Sequence, residues 1–149
     1  MTTDLRDLYQ EVIFDHYKRP RNNHAIDCAN HHAIGHNPLC GDKVTIYVKV
    51  DDGVIEDVAF EGSGCAIATA SASMMTEALK GRKLADVQKI FHGFHDMVTS
   101  PPDAAAPPLG KLDALRGVRE FPARVKCATL AWHTLQAALR AQENPVSTE

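Results

Sequence analysis

The feature that most constrains this fold is an alternation of apolar and polar side chains on either side of one turn. In the first segment apolar residues occupy every second position, at Val44, Ile46, Val48 and Val50. This two-residue period is typical of a half-buried β-strand. A turn is predicted at Asp51-Asp52-Gly53, and a second strand returns from Val54 to Phe60, with Val54, Val58 and Phe60 on one face. The pattern therefore predicts a β-hairpin.

The two far ends of this hairpin carry residues that can bind a metal. Cys40 and Asp42 lie in a turn just before the first strand, and Cys65 follows Gly62-Ser63-Gly64 after the second. Antiparallel strands pair about their turn, so Asp42 and Cys65 are expected at the same edge of the sheet. The sequence thus groups these ligands by geometry, although they are far apart along the chain.

A third cysteine stands in a similar context near the start of a later helix. Pro122 suits the first turn of a helix, and Cys127 follows within a turn or two, beside Arg124 and Lys126. Cys65 also opens an apparent helix. A helix N-terminus and nearby cations stabilise a thiolate, which favours both metal binding and nucleophilicity. Three thiolates and one carboxylate can close a tetrahedral metal site, formed by Cys40, Asp42, Cys65 and Cys127.

The remaining elements are mostly helical. Apolar residues at three- and four-residue steps predict helices over 4–18, 66–80, 84 to about 94, and 122 to about 142. A short helix over 112–118 and a short strand around 28–34 are also expected. Four prolines make 99–110 an exposed loop within one domain that spans 1–149. The tail over 144–149 is expected to be frayed.

Composition excludes several classes of function. A net charge of −3 and an isoelectric point near 6.2 offer no electrostatic case for nucleic acid or anionic membranes. The first residues lack the pattern of a signal peptide, and no apolar run is long enough to span a bilayer. We therefore expect a soluble, cytoplasmic protein. In that compartment its four cysteines are better interpreted as ligands or reactive thiols than as disulfides.

Other cysteine and histidine residues receive less specific interpretations. Cys28 is predicted to be a small buried apolar residue. His92 and His95 are three apart and could share a face, but without a third ligand nearby we expect solvated surface histidines. The adjacent pair His31-His32 is a poor chelate in a strand. His133 lies too far along its helix to join a metal at Cys127.

At these residues the chain resembles the IscU/NifU-type iron–sulfur assembly proteins. The resemblance is carried by Asn37–Asp42 (NPLCGD), Gly62–Ala66 (GSGCA) with Ala70-Ser71, and Arg124–Ala131 (RVKCATLA). Tyr9, His16-Tyr17 and Pro20-Arg21-Asn22 also look familial. The resemblance covers most of the chain. It implies an α+β fold, with a small antiparallel β-sheet packed against helices (SufE/NifU-like) and a metal site at one end.

Within that family the chain resembles the SufU-like branch of the SUF system. Lys126 stands where IscU-type scaffolds have a histidine, Glu120–Arg124 departs from their Leu-Pro-Pro-Val-Lys stretch, and the segment between Cys65 and Cys127 is longer. The likeness implies that Zn²⁺ is held by Cys40, Asp42, Cys65 and Cys127. It also implies that Cys40 accepts persulfide sulfur from a PLP-dependent cysteine desulfurase, and that Arg124 supports the site or the contact with this partner. The further partners that it implies are downstream SUF cluster-assembly or apo-acceptor proteins.

Two other interpretations remain open at this point. The same residues could hold iron or a transient Fe–S cluster, making the protein a scaffold that assembles and transfers a nascent cluster. Alternatively, the site could be purely structural zinc with no sulfur chemistry. In each case the chain is a sulfurtransferase-like accessory protein, a scaffold or a structural protein rather than a conventional enzyme, because no nucleophile–base–acid spacing supports a hydrolase.

Overall fold

The computed structural model describes residues 2–37, 41–100, 109–140 and 146–147. Within these ranges there are four α-helices, one 3₁₀ helix and four strands. In chain order the elements are α1 (Thr2–Lys18), β1 (His31–Asn37), β2 (Asp42–Asp51), β3 (Val54–Ser63), α2 (Ala66–Leu79), α3 (Leu84–Thr99), the 3₁₀ helix (Gly110–Glu120), α4 (Pro122–Leu139) and β4 (Val146–Ser147). The predicted α+β fold is confirmed, with an antiparallel sheet that packs against helices.

The sheet has the order β3-β2-β1-β4, and its first three strands are antiparallel. The predicted hairpin is present as β2 and β3. Asp52 and Gly53 have φ values of 52° and 74°, which is the left-handed pair that a two-residue hairpin turn requires. β4 pairs in parallel with β1 through Val146 and Ser147. These two residues of the tail that was expected to be frayed therefore pair with the sheet, and 141–145 and 148–149 lie outside the described residues.

A β-bulge changes which side chains of β3 face the core. Val48 pairs with Val58, but Val50 pairs with Ile55, so β3 carries one extra residue at this point. The alternation is consequently shifted, and Ile55 is fully buried. The predicted inward position of Val54 is wrong for this reason, while Val58 and Phe60 are buried as expected.

The helices cover the apolar face of the sheet. α4 packs across β1 and β2, and α2 packs against both α1 and α4. Phe94 of α3 stacks on Trp132 of α4, with ring centroids 4.4 Å apart. α3 runs to Thr99, beyond its predicted end near Phe94, because Met97 and Val98 add a further buried turn. The predicted 112–118 helix is a longer 3₁₀ helix, and most of the proline-rich 99–110 segment lies outside the described residues.

One buried hydroxyl joins α2 to α4. Ser71 Oγ donates a hydrogen bond to the Ala128 carbonyl at 2.5 Å, and it accepts one from Trp132 Nε1 at 3.1 Å. Ser71 is fully buried, so both polar groups are satisfied inside the core. This connection fixes the position of α4 relative to α2 close to the cysteine at the start of α2.

A close backbone approach holds α4 against β1. A Cβ atom added to Gly35 would lie only 1.9 Å from Thr134 Oγ1 and 3.1 Å from Leu130 Cδ1. Only glycine therefore fits at this strand position.

No helix in the described part of the chain is both long and apolar enough to cross a bilayer.

Candidate metal centre

The carboxylate of Asp42 lies against the start of α2, at the end of the hairpin opposite its turn. Asp42 is the first residue of β2 and only 1% exposed. Its Oδ1 accepts a hydrogen bond from the backbone N–H of Cys65 at 2.9 Å, and its Oδ2 lies 3.8 Å from Cys65 Sγ. The predicted juxtaposition of these two residues is thus present. One carboxylate oxygen positions the side chain, and the other faces the thiol.

Cys65 is the N-cap residue of α2. Its backbone is extended, with φ −70° and ψ 170°, and its sulfur accepts a hydrogen bond from the Ala68 N–H at 3.4 Å. A sulfur here takes the place that a serine or aspartate oxygen usually has at an N-cap. The sulfur thus lies at the positive end of the α2 dipole, with a backbone N–H directed at it. Local structure therefore prepares Cys65 as a metal ligand.

Gly64 is a residue of this centre whose role the sequence did not reveal. A Cβ atom at this position would lie 3.0 Å from Asp42 Oδ1 and 3.2 Å from Ala68 Cβ. Glycine therefore allows the carboxylate to reach the N–H of Cys65. Its place between a strand and a helix N-cap was the available signal, because such junctions often require a close backbone approach.

Cys127 brings the second described thiol to the same place. It lies in the second turn of α4, is fully buried, and has its sulfur 3.7 Å from the Ala123 carbonyl oxygen. One ligand atom each from Asp42, Cys65 and Cys127 lie within 4.8 Å of one another. In a tetrahedral zinc site such atoms are about 3.5 Å apart. A small contraction would therefore allow all three to contact one ion.

Cys40, the fourth predicted ligand, lies outside the described residues. The two ends of its turn are described, however. Asn37 pairs with Asp42 across β1 and β2, and the Gly41 N–H donates to the Asn37 carbonyl at 2.9 Å. These contacts place the ends of the turn beside the Asp42 carboxylate. The assignment of Cys40 as a ligand stays a prediction.

Arg124 lies beside both described thiols. It is exposed, in the first turn of α4 and three residues before Cys127. The pKa of its guanidinium is raised, chiefly by the charge of the Cys65 thiolate and then by a hydrogen bond to Cys127 and its charge. The side chain can therefore compensate negative charge on either sulfur. This location agrees with the supporting role that was predicted, without testing it.

Among the described residues, Cys28 and the histidines are not members of this group of ligand atoms. Cys28 is exposed, so the prediction of a buried apolar residue is wrong, and its charge is the main cause of the raised pKa of Lys49. His95 is half-buried between Phe91 and His133 rather than solvated, with centroid distances of 6.1 and 5.7 Å. His133 has a lowered pKa, first because of burial and then because of His95. His92 is exposed, as predicted.

The fold and this cluster define a small α+β domain that carries a group of one carboxylate and two cysteine sulfurs able to hold a metal ion. The model of the NifU-like N-terminal domain family matches residues 8–146. The chain therefore belongs to the NifU-like N-terminal domain family.

Curated relatives and solved structures support this assignment. The chain is 41% identical to the zinc-dependent sulfurtransferase SufU of Bacillus subtilis over 94% of this chain and 95% of that protein. It is also 41% identical to the iron–sulfur cluster assembly scaffold protein IscU of Streptococcus pyogenes, over 94% and 87% of the two chains. A putative SUF-system scaffold from Fervidobacterium islandicum superimposes with a TM-score of 0.81 and 34% identity, over 87% of this chain and 94% of that one.

Proposed function

We propose that this protein is an iron–sulfur cluster assembly protein of SUF type, which accepts sulfur at a zinc centre and relays it. The observation that carries the proposal is the convergence of one carboxylate oxygen and two thiol sulfurs within 4.8 Å of one another. These atoms come from β2, the N-cap of α2 and the second turn of α4. The similarity to the SufU of Bacillus subtilis supports the same conclusion.

The donor set fits zinc. Zn²⁺ takes thiolate sulfur and carboxylate oxygen in a tetrahedron, and Cys40, Asp42, Cys65 and Cys127 would supply four such ligands. When bound, the ion keeps the cysteines deprotonated and protects them from oxidation. The carboxylate makes the set less thiophilic than four cysteines would be, which favours exchange of a ligand.

Cys40 is the sulfur acceptor in this proposal. Its thiolate attacks the terminal sulfur of the persulfide on a PLP-dependent cysteine desulfurase. A new S–S bond forms on Cys40, the S–S bond on the desulfurase breaks, and the desulfurase cysteine leaves as a thiolate. No oxidant or reductant is needed. Cys40 must be free of the metal to attack, because a metal-bound thiolate is blocked as a nucleophile.

Asp42, Cys65 and Arg124 prepare the site for this step. The Cys65 N–H donates to the Asp42 carboxylate at 2.9 Å, so this side chain is held in place by a contact that does not involve Cys40. Arg124 balances the charge of the Cys65 and Cys127 thiolates. Sulfur accepted on Cys40 is then passed to downstream assembly or acceptor proteins.

A scaffold that builds a transient cluster on the same residues is the second candidate function. It is favoured by the carboxylate in the ligand set, since a cysteine–aspartate set holds a cluster weakly enough to transfer it. The similarity to the IscU of Streptococcus pyogenes also supports it. Anaerobic reconstitution with iron and sulfide, followed by visible absorption and native mass spectrometry, separates the two. A stable cluster in place of zinc would favour the scaffold.

The test of the relay is a cysteine desulfurase assay with zinc-loaded and chelator-treated protein. Zinc-loaded protein should stimulate turnover, and Cys40→Ser should remove the stimulation. Cys28→Ser is the matched control, because Cys28 is an exposed cysteine outside the centre and its loss should change nothing. Full stimulation by Cys40→Ser would contradict the proposal, as would equal loss in both variants. A zinc protein that never affects the desulfurase would be a structural one.

A further inference from the structure

An exposed aromatic side chain lies three residues before Arg124, the arginine that interacts with both described thiols. Phe121 is 61% exposed and lies between the 3₁₀ helix and α4, three residues before Arg124. Pro122 and Ala123 are also exposed, so every residue from Phe121 to the arginine is accessible to a partner. We call Phe121–Arg124 the rim patch. Exposed apolar patches of this kind often mark contact sites for other molecules.

The backbone of the rim patch is fixed on both sides. The Phe121 N–H donates to the Val118 carbonyl at 2.8 Å, and the Phe121 carbonyl accepts from the N–H groups of Arg124 at 2.8 Å and Val125 at 3.2 Å. The proline ring fixes φ at Pro122. The aromatic ring is thus presented on a rigid support, so a partner that binds it loses little conformational entropy.

The charge of the rim patch indicates the chemistry of its partner. The first turn of α4 contains no acidic residue, although helix N-termini usually favour them, and it contains the exposed Arg124. The guanidinium also lies beside both thiols, so the apolar surface and the ligand cluster share one residue. A protein that reaches the thiols from this side must contact Arg124. It would match the patch best with an apolar pocket and a nearby carboxylate.

We propose that the rim patch is the docking surface for the sulfur-donating protein, with Phe121 as the buried anchor and Arg124 paired with a carboxylate of the donor. This inference rests on the proposed function, which requires a cysteine desulfurase to approach the centre. Aromatic and arginine side chains are the residues that most often dominate binding energy at interfaces. Phe121 acts in binding only and takes no part in the transfer of sulfur.

The structure supplies a matched control for the test. Phe14 of α1 is 55% exposed, but it lies on another element, where Lys18 Nζ covers its ring at 4.8 Å. Titration calorimetry with a cysteine desulfurase should show a Kd at least about tenfold higher for Phe121→Ala, as expected for an anchor residue. Phe14→Ala should stay within about twofold of wild type. Zinc content and maximal stimulation at saturating protein should be unchanged in both variants.

Each result decides a different point. If wild-type protein binds and Phe121→Ala binds equally well, or both variants lose the same affinity, the docking surface is wrong and the proposed function stands. If binding depends on Phe121 but turnover is never stimulated, the docking surface stands and the sulfur relay fails. If wild-type protein does not bind the desulfurase, both are overturned. If the rate at which the protein associates with the desulfurase does not fall as salt is added, Arg124 does not pair with a carboxylate of the donor.

Discussion

Asp42 contacts Cys65 in two ways: its Oδ1 accepts the backbone N–H at 2.9 Å, and its Oδ2 lies 3.8 Å from the sulfur. The first contact ties the end of β2 to the N-cap of α2. The second leaves an oxygen directed toward the thiol and available to a metal. A single side chain therefore contributes to the fold and to the centre, and these two contributions can be separated by substitution.

Asp42→Asn should separate them. The amide oxygen can still accept the Cys65 N–H, but the charge is lost, so we expect zinc affinity to fall about tenfold or more with little change in stability without metal. Asp42→Ala should also lower the free energy of unfolding by about 1–3 kcal/mol, because the part-buried N–H of Cys65 loses its acceptor. Competition with a chromophoric chelator and urea titration measure the two effects. Asp57→Asn, on β3 beside Lys80, is the control. Equal zinc affinity in all three proteins would exclude Asp42 as a ligand.

Removing the metal should lower the melting temperature. The described ligand atoms come from β2, α2 and α4, so an ion bound to them joins segments that are distant in the chain and binds only the folded state. Free zinc at about 1,000 times its Kd would add about 4 kcal/mol to the free energy of unfolding. Calorimetry before and after chelation, with zinc restored as the control, measures the change. An unchanged melting temperature would mean that the ion does not join these segments.

Gly35→Ala should destabilise the packing of α4 on β1. The added methyl group would overlap Thr134 Oγ1, so we expect a loss of about 1–3 kcal/mol in the free energy of unfolding. Gly117→Ala is the control, because a Cβ atom there meets nothing within 4 Å. The double variant Gly35→Ala/Thr134→Ala should recover part of the loss. Urea titration tests all three, and equal effects of the two glycine substitutions would contradict this explanation.

Acidification should destabilise the protein through two histidines. His16 is 3% exposed and its Nδ1 shares a hydrogen bond with Ser73 Oγ at 2.7 Å. Its pKa is lowered mainly by burial and then by the charge of Arg21. The pKa of His133 is also lowered by burial. Below pH 6.5 the unfolded chain therefore binds more protons at these positions than the folded chain, so stability falls as the pH falls.

Glutamine at both positions should make this loss of stability smaller. Above about pH 7 the histidines are neutral in both states, so their titration makes no difference there. The unfolding free energies of wild type and His16→Gln/His133→Gln, both zinc-loaded, are compared from pH 7.5 to 5. Because metal binding contributes to both proteins, the difference between their slopes isolates the histidines. Parallel curves would mean that these residues do not titrate differently on folding.

The hairpin and the contact between Asp42 and Cys65 could be predicted from the sequence. Both follow from the alternation of apolar and polar residues along the two strands. Alternation predicts the strands, and antiparallel pairing about Asp52-Gly53 places their far ends together. The bulge that buries Ile55 could not be predicted, because no local pattern marks the extra residue. The exposed position of Cys28 was missed because a general burial tendency does not specify a position.

Contacts between segments that are distant in the chain also could not be predicted from local sequence patterns. The approach of Cys127 to Asp42 depends on how α4 crosses the sheet, which is set by the glycine at Gly35 and by Ser71. The family resemblance indicated that Cys127 belongs to the site, whereas the amino-acid pattern around it indicated only a thiol near a helix start. The contact of His95 with Phe91 and His133 depends on the same packing of α3 and α4.

The hydroxyl of Ser71 has a consequence for the spacing of the two thiols. It bonds the backbone carbonyl of Ala128, the residue after Cys127, from a helix whose N-cap is Cys65. The separation of the sulfurs thus depends on a contact that neither sulfur makes. A substitution at Ser71 would change the distance between the two sulfurs without removing either cysteine. Substitution at this buried position would therefore change the metal affinity of the centre although Ser71 is not itself a ligand.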